Sequence, residues 1–410
     1  MNTHRFIKSG LPILIGASVM LSLSMGIRQS LGVFMTPATR EIGISISEFT
    51  LAIAIQNLSW GVLQPFVGAW AGKYGYRHLM MSGSVLYVVG LVLLASAHGF
   101  LAVLIGAGFL IGLSLSCTGS AMAMAVATRC VTPEMRSAIL GVVTAAGSIG
   151  ALIAAPIGQS LSQDFGWRFG VLGFVALSVF LIPASWYGSK IDAIALPPNN
   201  PFDNKKPGTV ALQALKHPPF AVMTLAYLVC GMQLVFLTTH LPTYLEICGL
   251  DPMLSAKALG VIGGFNAMGS LFFGWAGGRY NKMLLLGMIY ILRSIGLAVY
   301  FYSAPTPDTT LIFAAYIGFL WLGVAPLVSG SISETFGLRW QAMLSGIAFM
   351  SHQLGSFLGA FGGGVIYDAL GSYNLALQIG VIVGLIAGLA QCIFAVAWPK
   401  DPPLILSTSA

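Results

Sequence analysis

The sequence predicts an all-α membrane protein, with twelve transmembrane helices in two pseudo-symmetric six-helix bundles, and three observations carry that prediction. Of 410 residues, 57% are hydrophobic and only 8% charged. A soluble domain carries about 25% charged residues, so this chain cannot cover a water-facing surface. Its apolar residues fall into twelve stretches long enough for a bilayer core, which needs about 20 per helix. One polar stretch, Lys190 to Lys216, with Pro197, Pro198, Asn199, Asn200, Lys205, Lys206 and Pro207, divides them six and six.

In chain order the first bundle is predicted to have spans at 11–35, 47–71, 78–97, 100–128, 137–162 and 168–187. The second has them at 218–245, 255–277, 283–303, 309–333, 341–366 and 374–398. The domains are therefore 1–188, a cytoplasmic linker at 189–216, and 217–410. The apolar run after Lys8 continues to about Val33 without a small-residue cleavage pattern, so it is read as the first span. Glycine, at 50 residues, suits helices packed through small side chains in lipid. Cys117, Cys130, Cys230, Cys248 and Cys392 are scattered singly and suggest neither a metal site nor a disulfide framework. The net charge of +7 invites a nucleic-acid reading, but the basic residues stand singly at span ends, where they set topology. With the N-terminus inside, 14 Lys and Arg, from Arg5 and Lys8 to Lys400, face the cytoplasm and three (Arg40, Arg168, Lys257) face outward. That asymmetry places both termini and the linker on the cytoplasmic side of a plasma membrane, with a bacterial inner membrane expected.

The halves repeat each other. Gly68-Ala-Trp-Ala-Gly-Lys-Tyr-Gly75 matches Gly274-Trp-Ala-Gly-Gly-Arg-Tyr-Asn281 at an offset of 206, and Gly141 to Gly150 matches Gly346 to Gly355 at 205. Two matches at nearly one offset argue for duplication, and parallel six-span repeats are the plan of one large transporter class. The loop after span two reads Gly68-x-x-x-Gly72-Lys73-x-Gly75-x-Arg77. It resembles the signature of the major facilitator superfamily, with Gly72 where the resemblance implies an aspartate. Within that superfamily, Arg136-Ser-Ala-Ile-Leu-Gly-Val-Val-Thr-Ala-Ala-Gly-Ser-Ile-Gly150, Pro156 and Phe165-Gly-Trp-Arg168 are similar to the bacterial monocarboxylate-porter group. Two departures stand out. Span one carries Met25-Gly-Ile-Arg28 in place of an acidic-Gly-aromatic signature, and Asn266 lies near the place of an arginine in span eight. The resemblance implies a secondary transporter working by alternating access. It also implies a conformational gate at Gly68, Gly72, Lys73, Gly75, Arg77 and Arg279, joined by Glu134 and Arg136 of Thr132-Pro-Glu-Met-Arg136.

An ionisable group inside a span costs at least about 2.5–3.5 kcal/mol and marks function by default. All twelve acids lie in loops or at span ends, while Arg28 and Arg293 lie within spans one and nine, and His240 and His352 within spans seven and eleven. The buried charge is thus positive, which attracts an anion. The planar fork of Arg28 pairs with a carboxylate through two hydrogen bonds; the plain alternative is that it caps helix ends or snorkels outward. Arg293 is either a second substrate contact or a tie between helices. His240, next to Pro242, is the first candidate for carrying a coupled proton and equally a neutral histidine bonded between helices; His352 is the second candidate. Gln29, Asn57, Tyr244 and Asn266 complete the expected substrate-binding set with Arg28 and Arg293. Singly, each is better explained by interhelical hydrogen bonding, worth about 0.6 kcal/mol.

The favoured function is transport of a small organic anion, a monocarboxylate foremost, with a proton as candidate co-substrate. Two other readings stay open. An exporter of a drug or small amphiphile is suggested by Ala155-Pro156-Ile157-Gly158, a partial antiporter signature, although Gly108 stands where such proteins often carry arginine. A membrane receptor or sensor would want an appended soluble domain. No catalytic constellation is present in the sequence, so no enzyme is expected, nor any cofactor, metal or nucleic-acid partner. The Gly-rich run Gly359 to Gly364 lacks the Lys and Ser/Thr of a phosphate-binding loop. A monomer in the lipid bilayer is expected.

Overall fold

The computed structural model describes residues 10–197, 200–303 and 305–397, and these are helical almost throughout with no strand among them. The terminal cations Arg5, Lys8 and Lys400 and the linker residues Pro198 and Asn199 lie outside the described residues. Helices are the expected answer in lipid, where every backbone N–H and C=O must be paired within its own segment.

The chain divides into two compact units, Met1–Pro197 with Leu338–Gly346 and Pro198–Gly337 with Ile347–Ala410. The division falls inside the segment read as a linker, much of which is ordered. Ser189–Ala193 forms a 3-10 turn that continues the first unit, and Pro207–Lys216 a helix of the second.

The first unit contains α1 (Leu11–Ser30), α2 (Met35–Ile42), α3 (Ile46–Tyr74), α4 (Arg77–Ala95), α5 (Ile111–Thr118), α6 (Ser120–Cys130), α7 (Arg136–Phe165), α8 (Trp167–Val179) and α9 (Leu181–Gly188). A 3-10 turn joins α1 to α2, so the first apolar stretch runs unbroken to Ile42. The second contains α10 (Pro207–Lys216), α11 (Pro218–Ile247), α12 (Pro252–Gly277), α13 (Lys282–Tyr302), α14 (Pro307–Trp321), α15 (Val324–Phe336), α16 (Gln341–Leu370) and α17 (Asn374–Ala397); the first turn of α16 packs with the first unit. Among the described residues, ten stretches are long and apolar enough to cross a membrane. The two other predicted spans are α3 and α16, of 29 and 30 residues, and they are more polar because they carry Gln56, Asn57 and Gln64, and His352 and Gln353. The outer faces are apolar: Phe66, Trp70, Leu225, Ile312 and Val396 are all exposed, as lipid-facing side chains should be.

Bare backbones make the tightest crossings. A Cβ on Gly150 of α7 would collide with the Ser22 carbonyl of α1, and one on Gly26 with the Gly150 carbonyl. In the second unit, a Cβ on Gly355 of α16 would collide with the Leu228 carbonyl of α11, and one on Gly231 with the His352 carbonyl. Small residues let helices approach closely where lipid supplies no hydrophobic drive.

Spans four and ten are among those interrupted. Span four turns extended at Gly119 (φ −80, ψ −168) between α5 and α6. Span ten breaks at Leu322 and Gly323, between α14 and α15.

Candidate functional site

In the first unit Arg28 lies on α1 near the middle of the apolar stretch Leu11–Ile42. Its Nη2 donates to Asn57 Oδ1 of α3, and its guanidinium lies 5.1 Å over the Trp60 ring. Nε has no partner, and among the described residues no carboxylate pairs with this cation. The walls around it are fixed by hydrogen bonds. Trp60 Nε1 donates to Gln64 Oε1 at 3.0 Å, Gln64 Nε2 to the Ser116 carbonyl at 3.0 Å, and Gln56 Nε2 to the Ala107 carbonyl at 2.6 Å. The Gly119 interruption packs on the same tryptophan, since a Cβ there would stand 3.1 Å from its ring. Tyr87 of α4 donates to the Ser24 carbonyl at 2.8 Å, and Ser24 Oγ to the Thr118 carbonyl at 3.3 Å. The structure thus brings Arg28 and Asn57 together and adds Trp60, whereas the adjacent Gln29 is exposed. The chemistry on offer is a half-buried guanidinium, an amide and an aromatic face, a set that suits a planar anion.

In the second unit Arg293 of α13 is completely buried. It donates to the Leu320 carbonyl at 2.8 Å, the Trp321 carbonyl at 3.4 Å and Cys230 Sγ at 3.1 Å. Asn266 Oδ1 accepts from the Leu322 N–H at 2.8 Å. Both side chains therefore meet at the span-ten interruption. Tyr244 is elsewhere, edge-on to Phe301 at 4.6 Å and against the apolar cluster of Leu241, Leu245 and Tyr300. His240 Nε2 donates to the Ala360 carbonyl at 3.0 Å, which leaves Nδ1 to accept from the Tyr373 hydroxyl at 3.1 Å. His352 is stacked on Phe349 and lies 4.7 Å from the Tyr227 ring, with Nδ1 3.3 Å from Gln353 Oε1.

The residues expected at the gate are spread over both units. Gly68 packs on Ala342, and Gly72 on Arg339 and Trp340, with Arg339 Nε donating to the Gly72 carbonyl at 3.1 Å; all of these belong to the first unit. Gly75 takes φ +92, a left-handed value suited to glycine. Lys73 lies over Tyr74, and Arg77 lies 4.0 Å over Trp186. Glu134 is exposed on the turn before Arg136, the first residue of α7, and Arg129 donates to the Ile194 carbonyl. In the second unit Arg279 lies 4.4 Å over Trp275, while Lys282 pairs with Glu334 at 2.6 Å.

Sequence reasoning missed Asp192. Its carboxylate accepts from the Tyr76 N–H at 2.9 Å and the Arg77 N–H at 3.0 Å, closing the N-terminus of α4 from across the unit. The signal was present in the sequence: Tyr76 at the N-cap position makes no side-chain cap bond, its hydroxyl standing too far from the backbone, so these orphan donors need an acceptor from elsewhere.

Comparison with known proteins bears on the whole chain. A family model described as Major Facilitator Superfamily matches residues 15–360. The chain is 26% identical over 381 residues to the MFS-type transporter YcxA of Bacillus subtilis, covering 88% of this chain and 89% of that one. It is 25% identical over 381 residues to monocarboxylate transporter 13 of Rattus norvegicus, covering 90% and 85%. Its fold is similar to that of the E. coli fucose:proton symporter FucP, with TM-score 0.72, 15% identity and coverage of 94% and 98%.

Proposed function

This chain belongs to the Major Facilitator Superfamily, and from that premise, which makes it a multi-pass membrane transporter and not an enzyme, we propose that it carries a small organic anion, a monocarboxylate foremost. The observation that supports this most is Arg28: a cation near the middle of an apolar stretch, bonded to an amide and a ring and to no carboxylate among the described residues. A guanidinium held this way is expensive in lipid, and a carboxylate cargo supplies the missing charge through two parallel hydrogen bonds. Asn57 then accepts one guanidinium N–H and orients the fork, while Trp60 backs it. The name of the relative in Rattus norvegicus, a monocarboxylate transporter, agrees with this cargo.

His240 is the proposed proton carrier. As a neutral ring it donates from Nε2 and accepts at Nδ1. A proton on Nδ1 would turn that acceptor into a donor toward the Tyr373 oxygen, so loading changes the bonding of α11 to the start of α17. The proposed setting is a plasma membrane with both termini cytoplasmic, as the Lys and Arg distribution implies.

Uptake into proteoliposomes of a panel of labelled carboxylic acids, with and without a pH gradient, tests the proposal. Arg28→Gln and Arg28→Lys should each abolish uptake of the accepted acid while the protein still reconstitutes. Undiminished uptake in both variants removes Arg28 from the mechanism.

A further inference from the structure

The interruptions of spans four and ten are held by different chemistry. In the second unit α14 stops at Trp321, Leu322 takes φ −87 and ψ 0, and α15 begins at Val324. Two carbonyls of the last turn of α14, those of Leu320 and Trp321, accept from Arg293. The other edge of the last peptide group, the Leu322 N–H, donates to Asn266 Oδ1. The neighbouring backbones leave little slack. A Cβ on Gly318 would lie 2.7 Å from the Ile262 carbonyl oxygen, and one on Gly269 would collide with the Phe319 carbonyl. Arg293 is fully buried, and among the described residues it pairs with no carboxylate. Its negative counterpart is the end of a helix, where aligned peptide dipoles leave a partial negative charge.

The duplication shows what the other half does instead. The offset of 206, read from the loop after span two, sets Tyr87 opposite Arg293. Around the first unit's interruption the bonds run from the Tyr87 hydroxyl to the Ser24 carbonyl and from the Ser24 hydroxyl to the Thr118 carbonyl. Those groups are neutral, and the nearby Arg28 donates to Asn57 instead, so among the described residues a charge bonded directly to the carbonyls of the break is particular to the second unit.

In transporters with broken helices, unwound carbonyls and half-helix C-terminal ends are where coupling cations bind. We propose that Arg293 is a tethered cation in that place: a positioning residue whose guanidinium takes the C-terminal carbonyls of α14, so that span ten holds its interruption without a bound metal ion. Asn266 holds the N–H edge of the same final peptide group. This inference concerns a different unit from Arg28 and stands or falls independently of the cargo.

The test is thermal melting of the purified full chain in detergent, followed by tryptophan fluorescence, which needs no knowledge of the substrate. Lys and Met are close in length and differ in charge. Arg293→Met should melt several degrees below the wild type, and Arg293→Lys should recover at least half of that loss. A Met variant that yields no folded protein beside a Lys variant that does gives the same support. A Lys variant that melts no higher than Met, or fails together with it, overturns the proposal, because shape alone would then account for the residue. Arg293→Ala opens space at the same carbonyls, and sodium chloride should raise its melting temperature above that in choline chloride at equal ionic strength, with no such difference in the wild type. Equal melting of the Ala variant in the two salts overturns the equivalence between guanidinium and metal ion.

Discussion

At the scale of single residues, a cation in an apolar run is legible in sequence and its partner often is not. Arg28 stands out because nothing around it is charged, and Asn57 follows because it is polar within a neighbouring span. Trp60 carries no such mark, since a tryptophan in a membrane helix looks like ordinary apolar surface until the 5.1 Å approach to Arg28 is seen. Asp192 is hidden for another reason: it acts on backbone N–H groups 116 and 115 residues away, and backbone donors have no letter in the sequence. Replacing Asp192 by Ala removes an acceptor and a negative charge from a helix N-terminus, a loss of about 1 kcal/mol. Asp192→Ala should therefore lower the melting temperature measurably, with Asp192→Asn lying between it and the wild type. Equal melting of all three would mean that water serves α4 as well as the carboxylate does.

Elements were easier to find than their defects. The apolar stretches gave the helices, and the crossing glycines seen in the structure keep the 205-residue offset, since adding 205 takes Gly26 to Gly231 and Gly150 to Gly355. The interruptions were not legible, because Gly119 and Gly323 are two among 50 glycines and neither stands beside a proline. What marks them is the company of polar groups from other helices, which only the packing discloses. At a crossing, a single methyl group has nowhere to go. Gly150→Ala should destabilise the protein by about 1–3 kcal/mol, the usual range for overpacking. Gly362→Ala, where a Cβ meets nothing within 4 Å, is the matched control on α16 and should melt like the wild type or slightly higher. The pair compares a glycine needed for proximity with one that is not.

For the whole molecule, the distribution of Lys and Arg makes a statement about sidedness that chemistry can check. Cys248 follows α11 at the end opposite the α10 linker and is exposed, while Cys117, Cys130 and Cys230 are buried and Cys392 is partly buried. In intact spheroplasts a membrane-impermeant maleimide should label the wild type, and Cys248→Ser should lose most of that label. Labelling that appears only after the membrane is opened would reverse the proposed orientation. The class of protein was legible from composition alone, whereas the cargo was not, because it depends on how a few polar atoms are held rather than on how many there are. The unequal bracing of the two interruptions also limits how freely the halves can be exchanged. A synthetic chain made of two copies of residues 1–197 would inherit both glycine crossings but would carry tyrosine where the second copy now has its guanidinium. The ancestral duplication supplied symmetry of framework, and the modern gene has since made its two products non-interchangeable.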